Sequence, residues 1–164
     1  GLSSTSFSIW SKATVKEALM KSDLMKIIVF DWTRDALLAG RKTCARRLWS
    51  KTYAQELRAG ELMAAYDWDP CDGGQHMGTI RLTRTPYQHK ELPPEDWENE
   101  GFDYLEHTGA HRRGSSPRMI WDDWLRAGAG HLWVVRFELV SIEPGYIDYL
   151  AVRPKETGKE PHDK

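Results

Sequence analysis

"AGRKTCARRLWSK", residues 39–51, is the stretch on which the reading of this chain turns. Five cations lie inside it, Arg41, Lys42, Arg46, Arg47 and Lys51, Arg34 sits just upstream, and no acid interrupts the run. The preceding "TRDALLAG" (33–40) reads as a short helix. Thr33 can cap it, Asp35 suits its first turn, and Gly40 can end it in a left-handed conformation. "KTCARRLW" (42–49) then reads as a strand, so Arg46 and Arg47 point to opposite faces. A buried face rejects an unpaired guanidinium. One arginine therefore lines a groove, pairs with an acid, or lays its stem along the surface and reaches solvent. A solvated basic edge strand, which resists edge-to-edge pairing, fits the same pattern.

Working outward, "LMKIIVF" (24–30) is an apolar, β-branched run that predicts a buried strand. Further strands are expected at 43–48, 61–67, 77–84 and 131–140, all in one strongly curved sheet. On "HMGTIRLTR", Met77, Thr79, Arg81 and Thr83 alternate against Ile80 and Leu82. On the last strand, Trp133, Val135, Phe137 and Leu139 share a side. Helices are expected at 12–22, at 50–59 with Ser50 as cap, within 93–109, and from Ser116 to the glycines near 130. Residues 91–106 hold seven acids and no Lys or Arg, which reads as a solvated helix face. The loop 107–118 adds three arginines and two histidines and can lie over a cleft or simply at the surface. The organisation is an N-terminal extension with a short helix (1–23), a main domain (24–142) and a polar C-terminal tail (143–164). The fold class is α+β: a small barrel of five to six mixed strands flanked by helices.

The 164 residues suit one domain with a real core. With 40% hydrophobic and 29% charged residues, the chain has a globular composition. Net charge is -1, so any attraction to nucleic acid must come from a local patch. Two cysteines, Cys44 and Cys71, are too few for a disulfide framework or for a zinc site built of four thiolates. "DWDPCDGG" with His76 is read as a turn and not as a metal site. No cofactor motif, signal peptide or membrane-spanning run is recognised, and the expected location is cytoplasmic. The eight tryptophans are expected mainly in packing, with Trp32 and Trp49 also placed to stack a base.

The arrangement Gly40-x-Lys42-x-x-x-x-Arg47, following a strand and a short helix, resembles the G-x-K-x-x-x-x-R signature of the ASCH family, a branch of the PUA-like superfamily. The resemblance spans about residues 24–142. It implies a small PUA-like β-barrel with a basic cleft beside the signature and RNA or a nucleotide-containing ligand as partner. The residues expected to contact that ligand are Gly40, Arg41, Lys42, Arg46, Arg47, Lys51, Arg81, Trp32 and Trp49. Lys42 is also the candidate catalytic residue. Physically, Lys42 and Arg47 suit a phosphate by charge and by fork geometry.

Part of the ASCH family resembles hydrolases of acetylated cytidine, which use the signature Lys, a Thr three residues on, and a Glu on a later strand. Here Ala45 holds the Thr position, and the strand around Arg81 carries no acid. The expectation is therefore no appreciable hydrolysis of that amide. The leading expectation is a binding domain. A metal-independent ribonuclease or another hydrolase of modified nucleosides is the alternative, and a protein-interaction module in regulation is the third.

Overall fold

The apolar run after residue 24 forms β1 (Lys26–Val29), which pairs in parallel with β3 (Leu62–Tyr66). The remaining strands are β2 (Cys44–Arg47), β4 (His76–Leu82), the two-residue β5 (Tyr87–Gln88) and β6 (Trp133–Ile142). The computed structural model describes residues 25–152. Their strand order is β1-β3-β4-β6-β2, with β5 also on β6. The second half of β6, from Phe137 on, pairs with β4, while its first half pairs with β2 and β5. One long strand thus serves two partner sets and curls the sheet into a half-barrel. The result is a small α+β domain with a curled mixed sheet flanked by helices.

The expected strands are all present, with ends displaced by one or two residues. The single expected helix over 93–109 is instead two, α3 (Asp96–Asn99) and α4 (Phe102–Thr108), following α1 (Arg34–Leu38) and α2 (Lys51–Gln55). Gly101 divides them at φ 83°. A Cβ there would come 2.7 Å from the Ala36 Cβ and 3.2 Å from the Lys42 Cβ, so close approach requires glycine. Ser50 and Ser116 cap α2 and α5 (Pro117–Ala127), accepting from the Tyr53 and Met119 amides, and Gly40 (φ 72°) follows α1 as expected. Thr33 does not cap α1. Its hydroxyl donates to the Phe30 carbonyl at 2.6 Å, closing the 3-10 turn Asp31–Thr33.

Alternation groups Met77 with Thr79 and Arg81, opposite Ile80 and Leu82, yet Met77 is buried. The β3–β4 register shifts at Ala65/Tyr66 and the β4–β6 register shifts at Thr79/Ile80, so simple alternation fails between Met77 and Ile80. The C-terminal boundary also needs correction. Residues assigned to the polar tail form α6 (Pro144–Val152), whose Tyr146 is buried in the main core and donates to Asp67 Oδ2 at 3.0 Å. The expected 12–22 helix and residues 153–164 lie outside the described residues.

The main core packs on the sheet and includes Phe30, Leu37, Met63, Ile80, Val135 and Phe137. A second cluster joins α1, α4 and α5 through Ala36, Phe102, Leu105, Ile120 and Trp121. Trp32, Trp97 and Trp124 pack against it, so with Trp121 this cluster takes up half of the tryptophans.

Candidate functional site

The basic run is met by the acidic one. Lys42, Cys44 and Arg46 project to the same side of the β2 segment, toward α3 and the residue that follows it, Glu100. Lys42 Nζ donates to the Glu100 carbonyl at 2.7 Å and to its Oε1 at 3.2 Å. Arg46 donates to Glu100 Oε2 at 2.8 Å and to Asp96 Oδ2 at 2.7 Å. Arg136 of β6 reaches both Asp96 oxygens, at 2.9 and 2.8 Å, and its Nε donates to the Tyr87 hydroxyl. The side chains of Lys42, Arg46, Asp96 and Glu100 are all at most 2% exposed. Three cations, of which Arg136 is only partly buried, share two buried carboxylates.

This revises two expectations. Asp96 and Glu100 are not part of a solvated face, and Arg46 is not a groove cation. Its guanidinium is enclosed by acids and lies 5.8 Å from the Trp124 ring centre. Burial opposes charging Arg46, but Glu100 and Asp96 outweigh it and raise its pKa. Burial also works against the Asp96 carboxylate, yet the hydrogen bonds from Arg136, Arg46 and Asn99 hold its pKa below the usual range. Lys42 behaves differently. Burial lowers its pKa, Glu100 only partly opposes this, and Arg47 adds to the lowering. Cys44, beside Glu100, is held up as a thiol by burial first and by that carboxylate second.

Arg47 lies on the opposite side of β2, as alternation requires. Its guanidinium donates to the Val29 carbonyl at 2.7 Å and stands 5.5 Å from the centre of the Phe30 ring. Burial lowers its pKa, with Glu100 and Asp31 opposing from a distance. Among the described residues no carboxylate forms an ion pair with it. Asp31 follows β1 by two residues, at φ 52°. Burial raises the pKa of its carboxyl, against the pull of Arg34, Arg113 and Arg47 and a hydrogen bond from the Trp32 amide. Asp31 and Arg113 are the two non-glycine residues with positive φ among the described residues, and they are electrostatic neighbours.

The other expected contact residues are dispersed. Gly40 is a backbone residue at the end of α1. Arg41 is exposed, 3.9 Å from Asp103 and 6.0 Å from the Tyr104 ring centre. Lys51 is exposed at the start of α2. Arg81 does not join the site: it pairs with Glu138 at 2.9 Å on β4, which β6 separates from β2. Trp32 packs on Phe102 with ring centres 5.7 Å apart, and Trp49 packs on Tyr53 at 5.1 Å. Glu100, which follows α3, lies beside Lys42, and Ala45 is buried in the core. Among the described residues no group of His, Cys, Asp and Glu is arranged to hold a metal ion, and no helix is long and apolar enough to cross a membrane.

No family model matches the chain, and no curated protein matches it. Among solved structures, the crystal structure of a protein from Enterococcus faecalis, family-model DUF984, is similar at 18% identity over 81% of this chain and 94% of that one, with a TM-score of 0.45. That likeness is too remote to bear on activity.

Sequence reasoning missed Asp96 and Glu100 as site residues. Both were visible only as part of a charge run.

Proposed function

We propose that this chain is an ASCH-type, PUA-like domain that binds an anionic, nucleotide-containing ligand, RNA included, at Arg47. One observation carries the reading. Arg47 is a half-buried guanidinium that donates one hydrogen bond, to the Val29 carbonyl, and forms no ion pair among the described residues. One such bond leaves most of the guanidinium's donors free, and a ligand phosphate would take them in fork geometry. Lys42, by contrast, is satisfied by Glu100 and acts on the ligand through the local field and not by contact.

A hydrolase acting at the Lys42–Glu100 pair is the second reading. Its support is the Lys42–Glu100 pair, a lysine of lowered pKa 3.2 Å from a carboxylate, which is a proton-transfer arrangement.

Calorimetric titration with inorganic phosphate, UMP and a short single-stranded RNA tests the binding reading. Arg47→Gln should weaken all three, and for RNA it should reduce the log–log salt slope by about one unit. Unchanged binding in Arg47→Gln, or no binding by the native protein, would reject it.

A further inference from the structure

We propose that Phe30 is the positioning residue for Arg47: its ring and the Val29 carbonyl hold the guanidinium ready for the anionic group of the ligand. The inference rests on the ligand reading above and deepens it.

Arg47 is the last residue of β2, and its side chain crosses to the end of β1. Its Nη1 donates to the Val29 carbonyl at 2.7 Å, and its Cζ stands over the Phe30 ring, 5.5 Å from the centre. A long side chain is thus tied at one nitrogen and backed by one ring. Nε and Nη2 share an edge of the planar group. The bond through Nη1 leaves that edge to take two oxygens of one phosphate.

The ring that backs Arg47 is itself held. The Phe30 amide donates to the Tyr66 carbonyl at 2.9 Å, and the Phe30 carbonyl accepts from the Thr33 amide at 2.9 Å and the Thr33 hydroxyl at 2.6 Å. The side chain is buried and meets Phe137 edge to face, with ring centres 5.5 Å apart. Any apolar side chain of similar size would fill the core here, but an aliphatic one has no ring face to attract a cation. Arginine loses rotamer freedom when it grips a ligand, and a guanidinium already held loses less of it. Phe30 therefore acts on affinity through Arg47 and without touching the ligand.

The test replaces Phe30 by mono-, di- and pentafluorophenylalanine. Ring fluorines draw negative charge off the ring face while nearly keeping its shape, so they weaken its attraction for a cation stepwise. Calorimetry with inorganic phosphate reads affinity, and melting curves report folding. The same series at Phe137 is the control. It disturbs the same core, yet among the described residues no cation stands over that ring. Phosphate affinity should fall stepwise in the Phe30 series, by about two- to fivefold in the pentafluoro form, and stay native in the Phe137 series. The log–log salt slope for RNA should stay native in both series because Arg47 keeps its charge, whereas Arg47→Gln loses about one unit. If the pentafluoro form does not fold, the mono- and difluoro forms carry the trend. Native-like phosphate affinity in the folded members of the Phe30 series, or an equal fall in the Phe137 series, overturns the Phe30 role alone. A native protein that binds neither phosphate nor RNA overturns the Arg47 reading and this inference together.

Discussion

Replacing Glu100 by Gln removes one charge and almost no volume from the buried network. Glu100 accepts from Lys42 at 3.2 Å and Arg46 at 2.8 Å, and Cys44 Sγ is 3.6 Å away. Breaking a buried pair in this way typically costs about 3–5 kcal/mol. Two features pull the figure to the low end. Lys42 keeps the residue-100 carbonyl at 2.7 Å, and Arg46 keeps Asp96. The expected loss is therefore about 3 kcal/mol, or roughly 6–12 °C in melting temperature for a chain of this size. The pH dependence follows from Lys42. Its pKa is lowered by burial even with Glu100 ionised, and removing that carboxylate lowers it further. Between the folded value and the ordinary lysine value the unfolded chain binds more protons, so stability rises with pH through that window. The deficit of Glu100→Gln against the native protein should accordingly be largest near neutrality and shrink as pH climbs to the ordinary lysine range. Urea titrations at several pH values measure this, and a double-mutant cycle with Lys42→Met should give a coupling above about 1 kcal/mol. A loss below about 1 kcal/mol near neutral pH, or a deficit that grows with pH, would refute the buried-pair account.

Gly101→Ala forces a Cβ into 2.7 Å contact with Ala36 at φ 83°, and should destabilise by about 3 kcal/mol through strain and overpacking, read from chemical denaturation. Tyr146→Ala should cost about 3–5 kcal/mol if α6 belongs to the core, whereas a change under about 1 kcal/mol would return residues 144–152 to the status of a tail.

The strands were legible in the chain because their signals are local. Apolar, β-branched runs such as 24–30 and the alternation of Val135 and Phe137 depend only on neighbouring residues and on the period of a pleated strand. The same is true of the serine caps at Ser50 and Ser116 and the glycine after α1. The opposed directions of Arg46 and Arg47 also followed from strand parity alone. What each arginine meets did not. Arg46 and Lys42 find their carboxylates 50 to 58 positions away in sequence, on α3 and just after it. Charge runs carry no record of their partners, so a basic and an acidic stretch each read as solvated until the sheet closes and brings them together. The tertiary structure also decided which side of β4 Met77 occupies, because register shifts against β3 and β6 override alternation. It turned α6 from expected tail into core, because Tyr146 is buried only where Asp67 and the sheet receive it. It brought Arg47 to the end of β1, because the sheet curls until its two ends, β1 and β2, meet through the bond from Arg47 to the Val29 carbonyl, a contact that no local pattern announces.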